Sequence, residues 1–306
     1  KKVTRFYVST DGSNNNSGTS DLPFATVEYA LNNVASGDTV IMQPGTYQES
    51  VSYDGAGKAI TLASMYLLTG EADYVENTII DGDLDESGPG TVLYLEDNSN
   101  GNSTKVTLSG FTLTNGSSNG GSDDGGGLYA FELDSLIIDN MIVDGNYNAK
   151  QGHDAGGITI KYADFVKITN TTISNNTADR YSGIAIVNSE DVELFNLLVH
   201  SNSSPETYHS VYLHENEELK IVNSTIANNT VETPYNSGGL IINMKSSLDS
   251  ALVMNSIISQ NKYLDEEGEE FINGTGYQMQ FQSGRLVLIN CYTEETLVEG
   301  NNKIKR

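Results

Sequence analysis

Residues 165–176 read FVKITNTTISNN, residues 191–202 read DVELFNLLVHSN and residues 218–229 read ELKIVNSTIANN. Laid over one another, the three stretches keep an asparagine in one slot: Asn170, Asn196 and Asn223. Asn140 precedes them, Asn255 and Asn290 follow, and Gly110 takes the same slot at the start of the series. The intervals between the asparagines are 30, 26, 27, 32 and 35 residues. Four places before the slot stand Val106, Leu136, Val166, Val192, Leu219, Ala251 and Leu286. Six places after it stand Gly116, Asn146, Asn176, Asn202, Asn229 and Asn261. Self-similarity at this period is the mark of a solenoid, in which each repeat buries its apolar face against the next.

A second feature gives the same period. Gly126-Gly127-Leu128, Gly156-Gly157-Ile158, Ser182-Gly183-Ile184, His209-Ser210-Val211 and Gly238-Gly239-Leu240 recur in step with the asparagines. Each repeat holds short runs of alternating apolar residues broken by polar or glycine-rich turns, which is strand patterning. Three strand pieces fit each repeat. Stacked repeats of this kind make a parallel β-helix, with coils about 4.8 Å apart. A corner asparagine tolerates a left-handed backbone and can bond its copy in the next coil. Parallel crossovers favour a right-handed winding. The expected fold is therefore all-β: a right-handed parallel β-helix of three strands per coil, with a short N-terminal capping helix. In this reading residues 1–57 form a strand-and-helix cap, with Val27, Ala30, Leu31 and Val34 at helical spacing. Residues 58–306 are coils of strands only, and the two parts make one continuous domain. Arg285 to Cys291 is still a repeat and residues 301–306 offer no cap, so the coils or further domains are expected to continue, or the end to stack.

The chain carries 16 basic and 41 acidic residues among 306, a net charge of −25. Such a surface repels nucleic acid and anionic lipid. It would also repel anionic polysaccharide unless a cation or a local basic patch intervened. No apolar run approaches the length of a membrane span. The single cysteine, Cys291, excludes an internal disulfide and is expected to be a packed thiol.

The opening FYVSTDGSNNNSGTSDLPFATVEYALNNVASGDTVIMQPGTYQE, the segment ITLASMYLLTG, the following TIIDGD and the asparagine coils resemble right-handed β-helix proteins of the pectate-lyase-like superfamily. Secreted bacterial surface proteins of this superfamily are the most similar. The resemblance implies a secreted or cell-surface β-helix module that binds extracellular polysaccharide or acts as an adhesion scaffold. Pectin methylesterases have a similar opening, but their catalytic glutamines and aspartate pair are not recognisable here, nor is the aspartate cluster of polygalacturonases.

The strand after the glycine pair places Leu128, Ile158, Ile184, Val211 and Leu240 inward, and Tyr129, Thr159, Ala185, Tyr212 and Ile241 outward. Two tyrosines flanking two small residues would form a shallow saddle on which sugar rings could stack; scattered surface tyrosines are the plainer reading. Polar residues precede this strand in each repeat, among them His153, Asp154, Arg180, Tyr181, Tyr208 and His209. Of these, His153, Asp154, Tyr181, Tyr208 and His209, together with Tyr129 and Thr159, are the candidate substrate-binding set. Lys161 and His214 fall on the same face. A lyase cleaving a uronic-acid glycan by β-elimination needs a base, a group neutralising the sugar carboxylate and a proton donor. Lys161 fits the first role, Arg180 the second, and Tyr212 or His214 the third. Asp81, Asp83 and Asp85, alternating before Gly88, suit calcium or a solvated turn equally, and no other cofactor is indicated. Three readings follow: a glycan-binding surface module, a polysaccharide lyase, and a filament or phage-spike subunit.

Overall fold

The computed structural model describes residues 4–82, 90–98, 103–118, 125–148, 155–205, 209–231, 238–264, 270–271, 278–293 and 296–298. Among these, the strands fall into four sheets, three of which run from the first coils to the last while the fourth starts at Ser117–Ser118. The first sheet has ten strands and begins Arg5–Val8, Thr39–Met42, Ala59–Ser64, Lys105–Ser109. It continues through Ser135–Asp139, Phe165–Thr169, Asp191–Phe195, Glu218–Val222, Ser250–Met254 and Arg285–Ile289. The second sheet starts at Gly45–Gln48 and includes Thr172–Ser174, Leu198–His200 and Thr225–Ala227. The third starts at Val51–Asp54 and includes Leu93–Glu96, Leu128–Phe131, Ile158–Lys161, Ile184–Val187, Val211–Asn216 and Leu240–Met244. Every neighbour in these three sheets is parallel, and equivalent residues of the repeats pair directly, as Val166 with Val192 and Val192 with Leu219. The winding is right-handed.

Three differences from the sequence reading have physical causes. A fourth sheet of two- or three-residue strands, such as Tyr147–Asn148 and Thr177–Ala178, lies between the second and third. It is too short to show alternation in the sequence. The coils already begin within residues 1–57, because Thr39–Met42, Gly45–Gln48 and Val51–Asp54 occupy three of the sheets. Two single-turn helices, α2 (Tyr66–Thr69) and α3 (Asp73–Glu76), interrupt the region read as strands only. The longer helix α1 (Val27–Asn33) is present, with Thr26 as its N-cap. Val27, Ala30 and Leu31 of α1 are buried in the same core as the strands. The Glu49 carboxylate accepts from the Val27 and Glu28 amides at 2.8 and 3.2 Å, satisfying donors that the helix itself leaves open. Among the described residues no helix is long and apolar enough to cross a membrane.

The corners account for the asparagines. Asn140, Asn170, Asn196, Asn223, Asn255 and Asn290 all have φ between 50° and 56°, the left-handed conformation that asparagine tolerates better than most residues. Their side chains are half-buried or exposed and bond along the stack only in part. Asn196 donates to Asn170 and Asn255 to Asn223, while Asn170 turns to Asp139. The continuous ladder is the other asparagine column. Asn146, Asn176, Asn202 and Asn229 each donate Nδ2 to the Oδ1 of the next copy at 2.9–3.0 Å, and each such oxygen also accepts the preceding copy's backbone N–H. Asn261 ends the run on Gln278 Oε1 at 2.9 Å. All five are buried. The glycine column lies against this ladder: a Cβ on Gly157 would meet Gly183 O at 2.4 Å and Asn176 Nδ2 at 3.0 Å. On the outside of the first sheet Lys167 and Lys220 both reach Glu193, at 3.4 and 3.1 Å, the alternating charges that neighbouring strands favour. Burial works against the Glu193 carboxylate, but the two lysines outweigh it and hold its pKa below the usual range. Cys291 is half-buried and donates to Val253 O.

Candidate functional site

The outer face of the third sheet carries two columns per strand. The inner of the two runs Tyr94, Tyr129, Thr159, Ala185, Tyr212, Ile241, in the register expected from the sequence. These side chains point away from the lumen, yet from Tyr129 onward all are buried: Tyr129 is 5% and Tyr212 7% exposed, and Thr159 has no exposure at all. The cause is a second apolar layer. Tyr181, on the segment leading into Ile184–Val187, lays its ring flat on Tyr212 with centroids 3.9 Å apart. Ala155, Tyr181, Ala185, Val187, Tyr212 and Ile241 form an apolar cluster of their own outside the sheet. Thr159 Oγ1 accepts from the Ala155 amide at 2.7 Å. The saddle expected between Tyr129 and Tyr212 is therefore filled, and Tyr129, Thr159, Tyr181 and Tyr212 serve packing rather than contact with a ligand. His209, buried with 2% exposure, joins them. Tyr212 as proton donor is corrected for the same reason: its ring is covered by Tyr181 on one side, with His214 stacked 5.1 Å away.

The second column stays accessible. It runs Glu96, Phe131, Lys161, Val187, His214, Asn243, all half-buried except Val187. Lys161 and His214 are thus in one line, two coils or about 10 Å apart. Beside the column is the corner that leads to the next coil, where Glu132, Tyr162, Asn188 and Glu215 hold φ between 53° and 56°. Three of these are not asparagine, and a left-handed backbone is uncommon for tyrosine and glutamate. Column and corner together make a ridge parallel to the axis.

At the N-terminal end of the ridge the aromatics cluster. Tyr94 stacks on Tyr129 at 5.1 Å, Tyr129 on Phe131 at 6.3 Å, and Phe131 meets the edge of Tyr162 at 5.5 Å. Tyr162 is 50% exposed and Tyr94 and Phe131 are half-buried, so the cluster spans three coils with its outer part in solvent. The Lys161 ammonium lies 5.6 Å from the centre of the Tyr129 ring, a cation–π contact. At the other end, His214 Nδ1 is 3.0 Å from Asn243 Nδ2, and Ser283 Oγ donates to Asn243 Oδ1 at 2.6 Å. An amide N–H on Nδ1 leaves the ring proton on Nε2, facing Glu215 Oε1 at 3.5 Å. Burial pushes the His214 pKa below its ordinary value, against the pull of Glu215.

Arg180 is half-buried beside Tyr181, and its carbonyl accepts from Ser204 Oγ. His153, Asp154 and Tyr208 lie outside the described residues, as do Asp83 and Asp85. Asp81 ends a strand of the second sheet and accepts from Asn115 Nδ2 at 3.0 Å, the bond of a corner aspartate. Among the described residues no group of three His, Cys, Asp or Glu could hold a metal ion. Tyr94 and Tyr162 went unread in the sequence. Asn188, the asparagine of a third left-handed corner, was the signal available for Tyr162, because the two positions are in register and share that backbone conformation.

Three comparisons bear on this architecture. The family described as right handed beta helix region matches residues 75–226. Uncharacterized protein YwoF of Bacillus subtilis (strain 168) is 45% identical over 58 residues, which are 18% of this chain and 12% of that protein. The chain therefore matches only a small part of that relative's length. Among solved structures, the pectate lyase Pel9A superposes with a TM-score of 0.54 at 11% identity, covering 99% of this chain and 79% of its own. A pectin methylesterase from Yersinia enterocolitica gives 0.48 at 11% identity, covering 92% and 94%. At 11% identity the likeness to Pel9A is one of fold. Residues 75–226 match the right-handed β-helix family, and the parallel strand pairing extends that same right-handed β-helix on both sides of them.

Proposed function

We propose that this chain is an extracellular, surface-presented β-helix module that binds polysaccharide along the ridge of the third sheet. The observation that carries the reading is the aromatic cluster Tyr94–Tyr129–Phe131–Tyr162, buried at Tyr129 and half exposed at Tyr162. Sugar rings present C–H faces that lie on aromatic rings, and a tyrosine adds a polar tip. A rigid line of side chains repeating every coil, about 4.8 Å, suits a linear polymer better than a compact ligand. Rigidity matters because ordering costs are then met on folding rather than on binding. A β-elimination activity would use Lys161, whose place in one accessible column with His214, two coils away, is the feature favouring it.

Affinity electrophoresis and calorimetry against a panel of soluble glycans test the reading. Retardation by at least one polymer, weakened in Phe131→Ala and Tyr162→Ala without loss of the folded circular-dichroism spectrum, is the expected outcome. Absorbance from unsaturated products that disappears in Lys161→Ala would replace the binding module with a lyase. No retardation by any polymer would end the glycan reading.

A further inference from the structure

We infer that the ridge takes a neutral polysaccharide and rejects polyuronates; the inference rests on the glycan-binding reading above and names its substrate class. Around the aromatic cluster the chain places carboxylates coil after coil. Glu132 and Glu215 stand on the left-handed corner itself and are exposed. The next turn repeats an acid in each coil: Asp164 and Glu190 are exposed, and the Glu190 amide bonds Ala163 O just as the Asp164 amide bonds Leu133 O, which puts the two acids in register. Glu217 follows in the same line and is paired with Lys245 at 2.6 Å. Glu96 flanks the cluster on the other side, accepting from the Tyr94 hydroxyl at 3.1 Å.

Among the described residues the cations set against these are Lys161, Arg180 and Lys245, the last already held by Glu217. The Lys161 ammonium is drawn over the Tyr129 ring, and Arg180 lies beside Tyr181 rather than on the ridge column. Carboxylates one coil apart, about 4.8 Å, sit well inside the screening distance of roughly 8 Å at physiological ionic strength. A chain of uronate groups laid along the ridge would hold its charges against Glu132, Asp164, Glu190 and Glu215, with Lys161 and the Glu217-paired Lys245 to offset them. A neutral sugar meets the same groups differently. Its hydroxyls donate to the carboxylates in charge-assisted hydrogen bonds, while its apolar face rests on Phe131 and Tyr162. Like charges in adjacent coils work against folding, so their persistence along one ridge is the more telling where a hydroxyl-rich polymer can use them.

The experiment compares soluble neutral polymers (xylan, mannan and mixed-linkage glucan) with polygalacturonate and alginate, each with chelator, with calcium, and at low and high sodium chloride. At least one neutral polymer is expected to bind with an affinity insensitive to salt. Tyr162→Ala should weaken it by about tenfold, the upper end of what an aromatic contact supplies. Glu132→Gln combined with Glu215→Gln keeps shape and hydrogen-bond acceptors but removes charge, and should raise polyuronate retention several-fold. Polyuronate binding equal to or tighter than neutral binding in the unaltered chain, with or without calcium, overturns the substrate class while leaving a glycan module. Retention of no polymer overturns both. Identical thermal unfolding of the glutamine variants separates either result from misfolding.

Discussion

Two columns of asparagine run along this molecule, and they are chemically unlike. The column through Asn176, Asn202 and Asn229 is buried, and each amide in it donates to the next copy, accepts from the preceding one and satisfies a backbone carbonyl. The column through Asn170, Asn196 and Asn223 sits at a corner in solvent, its φ near 50° and its side-chain bonds intermittent. One residue type thus serves twice, for hydrogen-bonding capacity in the first column and for backbone tolerance in the second. The outer face of the third sheet repeats the lesson with tyrosine. Tyr212 is a packing residue under Tyr181, whereas Tyr162, on the corner, is half in solvent.

The sharpest way to break the first contrast is Asn202→Ala. It removes the acceptor of the Asn176 amide and side chain, both 3.0 Å from the lost oxygen, and the side-chain donor to Ile173 O, while Asn229 Oδ1 keeps only the residue 202 amide. Buried unsatisfied groups cost about 1–3 kcal/mol each, so a loss of about 4 kcal/mol in chemical denaturation is expected. Tyr181→Ala tests the outer layer. It uncovers Tyr212 and Ala185, and should cost about 3 kcal/mol and change the near-ultraviolet circular dichroism. Glu49→Ala removes the acceptor for two amides at the start of α1. The cost should be about 1 kcal/mol, read as a lower denaturation midpoint. A pH titration sharpens the contrast further, since the buried ladder holds no titratable group. His214 has a lowered pKa in the fold. The unfolded chain therefore binds the proton more readily, and stability should decline as pH falls through the ordinary histidine range and below. In His214→Asn that part of the decline should be missing from the stability–pH curve. Asn196→Gly is the weakest perturbation. Glycine accepts the left-handed corner, so the change should stay within about 0.5 kcal/mol; a loss matching that of Asn202→Ala would erase the distinction between the columns.

Much of this could be read in the one-dimensional pattern. The period, the inward Val, Leu and Ile positions and the register of Tyr129, Thr159, Ala185 and Tyr212 all follow from the alignment of repeats, because stacked coils put equivalent residues next to each other. The alternating Lys167, Glu193 and Lys220 column was equally visible, and it pairs as its charges require. The two-residue strands of the fourth sheet and the single-turn helices α2 and α3 were not, being too short to establish a period of their own. The candidate site divides in the same way. Lys161 and His214 share an accessible column, while Tyr129, Thr159, Tyr181, Tyr212 and His209 are buried.

What the amino-acid order determined by itself is the coil: its length, its lumen-facing residues and the neighbours each residue meets above and below. Strand alternation and repeat length suffice for that, since both are local and periodic. Which outward residues reach solvent was decided only in three dimensions. Facing away from the lumen leaves a side chain open until another segment lies on it, and Tyr181 lies on Tyr212 by a path across the outside of the sheet that no periodicity encodes. The left-handed backbone at Glu132, Tyr162 and Glu215 belongs to the same category, because the closing of each coil imposes it on residues that would not choose it alone.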